Sequence, residues 1–371
     1  MRPSVFSTLI SVFLITLATF PHEAPARVYQ IASHPIVYSY TEATQYAQIH
    51  IIEGDGSGLK VLTPSSLGNA LGPVWSPDGK RIAFSAPTDG DKSGIFVMDA
   101  QGLNLKRITT RAIDALNPVW SPDGKSIAMQ CVEGLVKQIC TISADGSNFK
   151  QLTDGEANWY PAWSPSGKKI VFESVRNHRD EIYTMNADGS GQMKLTDSNT
   201  GKGVPVWSPD GKQVVFTGRA NKRSDIYSIN EDGSALINLT QNLPGSSSNP
   251  VWSPDGNYLA FNTKDDNAYL AILRSGEVNP KIIRESVLSG ELGGPFLDLA
   301  WSPDSKNIAF VSDEEDPARA GIYVLPIACI DLETGCKTKD YIKLKANLVS
   351  PHSTSDYPSH LNWAYLPSTK P

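Results

Sequence analysis

Asp78, Asp123, Asp210, Asp255 and Asp304 recur in one setting: each follows Trp-Ser-Pro, and four of the five precede Gly. Repeated carboxylates suggest calcium, which needs several oxygen ligands gathered in one place. Here each aspartate stands alone in a turn sequence. The densest stretch, "DGDKSG" from Asp89 to Gly94, has two carboxylates and falls short of a calcium-loop pattern. The acidic run "DEEDPAR" from Asp313 reads as a solvated loop. A serine nucleophile on a strand-to-helix elbow needs G-x-S-x-G, and the sequence has no such motif. Ser57 in "GDGSG" and Ser190 in "DGSGQ" belong to hairpin turns. His22, His34, His50, His178, His352 and His360 never recur at one strand position, as a ring of metal ligands would. These residues predict no catalytic group, no metal and no cofactor; the aspartates predict turns.

The turns belong to a repeat. Trp75, Trp120, Trp163, Trp207, Trp252 and Trp301 each stand in W-S-P, 43 to 49 residues apart. That period fits four-stranded propeller blades and not helical repeats of about 34 residues. The unit from Pro161 reads as "PAWS", a turn "SPSG", "KIVFES", a loop "VRNHRDE", "IYTMN", a tight turn "ADGS" and "MKLT". Alternating apolar and β-branched residues between turn signals predict an antiparallel meander. In the turn, Pro77 presets φ, Asp78 can accept backbone N–H groups and Gly79 takes the left-handed position. Trp75 is expected to bury its face against the next blade, and Pro73 to open the innermost strand, where a missing N–H matters least.

Counting strands gives an all-β propeller of seven four-stranded blades. The second strand occurs at Ile36, Ile82, Ile127, Ile170, Val214, Leu259 and Ile308. The Trp strand occurs six times with Ser-Pro and once more at Trp363 in "HLNWAYLP". The first unit lacks a Trp strand and the last Trp strand lacks a partner, so Leu361 to Tyr365 is expected to complete the blade begun at Ile36. Closure removes the exposed sheet edges of an open array. Six blades with ragged ends is the alternative.

The start of the chain has a different composition. Arg2, an uncharged apolar run from Val5 to Phe20 and Ala24-Pro25-Ala26 read as a signal peptide over residues 1–26. Residues 27–35 then form a linker and 36–371 the propeller. The run is shorter than the roughly 20 residues that span a bilayer, so a periplasmic or secreted, monomeric protein is expected. The four cysteines fall in two close pairs, Cys131 with Cys140 and Cys329 with Cys336. Their spacing suits local disulfides in an oxidising compartment better than zinc. A net charge of −6 and a pI near 5.6 give no support to nucleic-acid binding.

"PVWSPDGK-IAF", "IYTMNADGS" and "KLT" closely resemble the WD40-like repeat of the TolB propeller family, over roughly Ile36 to Tyr365. The resemblance implies an exported propeller that serves as a protein-binding platform in the cell envelope. TolB itself carries an α/β domain before a six-bladed propeller; here Arg27 to Pro35 precede the first strand and seven blades are counted. The repeat also resembles the propellers of prolyl-oligopeptidase-type peptidases, whose hydrolase domain has no counterpart motif here. It resembles oligogalacturonate lyases too, which need a metal held by channel histidines; that lyase-like enzyme is the alternative to the platform.

Strand order places the S-P-D-G and A-D-G-S turns on one face, nearly the same in each unit. The strand two–three loops share the other face and differ in each unit, so a specific partner is expected there. At that mouth of the channel, three residues before the seven tryptophans, stand Gly72, Asn117, Tyr160, Val204, Asn249, Asp298 and His360, with Trp159 beside Tyr160; of these, Asn117, Trp159, Tyr160, Asn249, Asp298 and His360 are the candidate binding residues. Their amide and aromatic groups predict an envelope protein or peptide as partner, or a glycan.

Overall fold

In every repeat the alternation of buried residues writes out the strands. The blade that contains Trp163 runs Asn158–Trp163, Lys169–Arg176, Arg179–Asn186 and Met193–Lys194, each strand antiparallel to the one before. The second and third strands are longer than expected. They run on through most of "VRNHRDE", because Val175 and Arg176 pair with Asp180 and Arg179. The computed structural model describes residues 34–40, 46–87, 92–110, 112–134, 136–176, 179–197, 201–220, 222–265, 268–277, 281–283, 299–312, 321–329, 342–344 and 362–363. Among them the strands form seven four-stranded sheets, and the described helix is limited to two short 3-10 turns, Ser65–Leu67 and Ile327–Cys329. The proposed signal peptide, Asp298, Cys336 and His360 lie outside the described residues.

The sheets are blades of one ring. The Trp strands touch in sequence round the centre, and the last, Asn362–Trp363, touches both Leu299–Trp301 and Leu71–Trp75. Asn362–Trp363 also pairs with Pro35–Tyr40, Trp363 opposite Ile36 and Asn362 opposite Val37. Seven blades, closed by the C-terminal strand, are therefore the architecture. Asn362 adds a bond to the next blade: its side-chain oxygen accepts the Trp75 N–H at 2.9 Å.

Apolar clusters fill the seams between blades. Trp75 packs with Val37 and Ile49, and Trp120 with Ala83 and Ile95. Trp75, Trp120, Trp163, Trp207 and Trp252 thus cover the preceding blade in chain order, the reverse of the expectation. Trp75 pairs with Ile82 and shares its sheet face; which neighbour that face meets depends on sheet twist, which a repeat sequence does not reveal. The phenylalanines of the second strands, Phe84, Phe172, Phe216, Phe261 and Phe310, are fully buried. Four of them stack on an aromatic of the third strand, with ring centroids 5.7–5.9 Å apart. Cys131 and Cys140 join the two strands of one hairpin as a disulfide, buried in a seam. Cys329 is also disulfide-bonded.

The aspartates prove to be turn residues. Asp78 accepts the Ser76 hydroxyl at 2.6 Å and the Lys80 N–H at 3.1 Å, while the Ser76 oxygen accepts the Arg81 N–H. Asp123, Asp210, Asp255 and Asp304 repeat this arrangement. Gly79 has φ 65°, and Ser305 in the equivalent place φ 59°. Ala100, Ala144, Ala187 and Glu231 of the second tight turn each donate to the lysine carbonyl of the first, so both turns share one face.

Two expectations follow. Asn362→Ala leaves the Trp75 N–H without its acceptor and costs about 1–3 kcal/mol, measured as a lower Tm with the far-UV spectrum unchanged. The Ser121 hydroxyl and Lys125 N–H lower the Asp123 pKa, and the Ser208 hydroxyl and Lys212 N–H lower that of Asp210. Such groups stabilise the fold fully above the ordinary aspartate pKa of about 4 and lose that contribution as pH falls through their lower folded values. Asp123→Asn with Asp210→Asn should therefore flatten the fall in Tm between pH 5 and pH 2.

Candidate functional site

The wall of the ring's centre is built from Trp strands with one irregularity in common. Pairing with the second strand slips between Leu71 and Val74, Leu116 and Val119, Trp159 and Ala162, Gly203 and Val206, and Ser248 and Val251. At each slip the residue three before the Trp is left-handed: Gly72, Asn117, Tyr160, Val204 and Asn249 have φ of 50–62°. A proline follows each. Pro73 therefore does not open the innermost strand, which begins at Leu71. The bulge leaves a residue unpaired, and that is what lets a proline sit inside the strand.

A bulge re-aims its side chain. The five prolines are buried, whereas Asn117, Val204 and Asn249 are half-buried and Tyr160 is 43% exposed. Left-handed backbone is natural for Gly and tolerated by Asn, but costs roughly 1–2 kcal/mol at Tyr and Val. Asn117, Tyr160 and Asn249 thus occupy equivalent places on the wall. Trp159 precedes Tyr160 and lies opposite Glu173 on the second strand.

Glu173 escapes a reading of motifs. It belongs to a register position that is polar in blade after blade: Ser39, Ser85, Gln130, Glu173, Thr217 and Asn262 all lie three residues beyond the partner of the Trp. The signal was a polar residue recurring inside an otherwise buried strand. The side chain of Glu173 reaches the next blade: a Cβ on Gly203 would come within 3.1 Å of its Oε2, and the Val204 N–H donates to its carboxyl. Burial, with Asp180 nearby, pushes its pKa up to about 8, against the opposing effect of that N–H. Burial and Glu173 also raise the Tyr160 phenol. A buried acid that holds its proton near neutral pH therefore lies by Trp159 and Tyr160, a grouping typical of functional clefts.

Other candidates have structural partners. Ser57 and Ser190 donate to Asp55 and Asp188 within their turns. His50 is buried, stacked on Tyr38 and edge-on to Tyr40. The threonine of "KLT" is a clasp. Thr63, Thr109, Thr153, Thr196 and Thr240 accept the N–H of Ile49, Ile95, Ile139, Ile182 and Ile226, binding the outer strand to the third. Among the described residues, no three His, Cys, Asp or Glu side chains gather to hold a metal ion.

The family model described as the TolB beta propeller domain matches residues 16–202. The chain belongs to that family. This TolB-like propeller is similar to the solved TolB from Acinetobacter baumannii (22% identical, TM-score 0.52), covering 67% of its own length and 63% of that chain. It is similar to an oligogalacturonate lyase in complex with manganese (14%, TM-score 0.60; 76% and 84% covered) and to puromycin hydrolase (15%, TM-score 0.67; 90% and 55% covered). At these identities the likeness is one of fold. The TolB-like propeller spans less than two thirds of the A. baumannii TolB and of puromycin hydrolase. No curated protein sequence matches it.

The raised pKa of Glu173 gives the TolB-like propeller a signed pH dependence. Between about pH 4.5 and 8 the folded chain holds a proton that the unfolded chain has released, so stability falls as pH rises through this window. Glu173→Gln, which keeps an oxygen for the Val204 N–H, should match the wild type at pH 4.5. Above pH 9 it should be more stable by roughly 2–4 kcal/mol in urea titrations.

Proposed function

We propose that this chain is an exported, non-enzymatic binding platform of the cell envelope. It holds a protein or peptide segment at the channel mouth on the face of the strand two–three hairpins. The observation that carries this reading is the bulge repeated in five blades, which leaves Asn117, Tyr160, Val204 and Asn249 only partly buried. Asn117 and Asn249 offer amides that can bond a peptide backbone, and Trp159 and Tyr160 offer aromatic faces. Such rigid aromatic and adaptable amide groups suit protein recognition. The same lining can take a glycan. The first 26 residues support export, as does the Cys131–Cys140 disulfide.

The test is recovery of partners from an envelope extract on immobilised protein. Tyr160→Ala and Asn249→Ala should each lower recovery about tenfold, the effect of losing roughly 1.4 kcal/mol, with Tm little changed. Undiminished recovery would move the site away from the channel mouth. Turnover of pectic polysaccharide by purified protein supplied with manganese would overturn the non-enzymatic reading in favour of a lyase.

A further inference from the structure

The face of the Ser-Pro-Asp-Gly turns is not uniform, and two of its seams show how a side chain covers the neighbouring Trp. The residue that opens each second strand is Pro35, Arg81, Ser126, Lys169, Gln213, Tyr258 or Asn307. Arg81 reaches across the seam. Its guanidinium carbon lies 4.6 Å from the centre of the Trp120 ring, and its Nη2 donates to the Gly124 carbonyl at 2.9 Å. Its charge also acts on Asp78. Tyr258 covers Trp301 in a comparable way, ring centroids 6.0 Å apart.

In the seam between Ser126 and Trp163 the reaching side chain is missing. Ser126 is the smallest of the seven residues, and a cavity of about 510 Å³ opens there, lined by Asp123, Ser126, Thr141, Trp163, Ser166 and Gly167 among others. A Cβ on Gly124 would lie 3.6 Å from Arg81 Nη2, while one on Gly167 would meet only Pro122. Trp163 is held in place, its indole N–H donating to the Val119 carbonyl at 3.2 Å as that of Trp120 does to Val74. Ser126 and Ser166, the latter standing where the other motifs have Asp, meet at this seam. The geometry points to a second binding site, one that takes an arginine side chain from a partner, its guanidinium on the Trp163 ring, its N–H on the Gly167 carbonyl and its charge toward Asp123. The site is on the opposite face from the channel mouth and does not depend on the function proposed there.

The probe is N-acetylarginine amide, titrated while the Trp163 indole N–H resonance is followed by NMR and assigned with Trp163→Phe. The expected result is a saturating shift with a dissociation constant of roughly 1–50 mM, and a response to the uncharged citrulline analogue about fivefold weaker or less. Ser126→Arg and Ser126→Tyr, which copy Arg81 and Tyr258, should fill the cavity and abolish the shift. Two variants of different chemistry keep the test sharp if one misfolds. No shift at Trp163, an equal response to citrulline, or an undiminished response in a folded filled variant overturns the assignment.

Discussion

Each blade has two apolar faces and no neighbour to spare, so the fold depends on closing the ring. The closing contact is small: Asn362–Trp363 on Pro35–Tyr40, with the Asn362 side chain bonded to Trp75. Without it, the blade that holds Pro35–Tyr40 would lack its inner strand and the seams beside it would open to water. In an array held by neighbour contacts, stability is carried by such interfaces more than by any one unit. The recurrent residues serve this end. Trp covers a seam, Phe fills the sheet, Ser and Asp fix the turn, and Thr ties the outer strand.

That division of labour explains why the most repeated residues carry the least chemistry. A residue bound in the same way in every blade cannot distinguish one partner from another. The candidate sites arise where the repeat holds the backbone fixed and lets the side chain vary. At the bulge the backbone is the same in five blades while the residue is Gly, Asn, Tyr, Val or Asn. At the second-strand opening the place is constant while the residue runs from Arg to Ser.

Blade number, ring closure and turn chemistry were legible because Trp, Pro, Asp and Gly state their local geometry. The direction of Trp packing was not legible, since both faces of a blade are apolar and twist decides which neighbour each meets. The bulge was hidden for a definite reason: a residue before proline is pushed toward extended backbone, so left-handed Asn117, Tyr160 and Asn249 run against expectation. Glu173 was hidden because its importance lies in register with Trp159 and contact with Gly203, both distant in sequence.

Ring closure by the last strand also sets an order in time. Pro35–Tyr40 is made long before its inner partner, Asn362–Trp363, so the blade they share stays incomplete until residue 363 has emerged. Long-range pairing of this kind is slow to form. A chain delivered end-first through a narrow pore would reach the far side before it could lock shut. The join that gives the ring its stability can therefore form only after Asn362–Trp363 has been made.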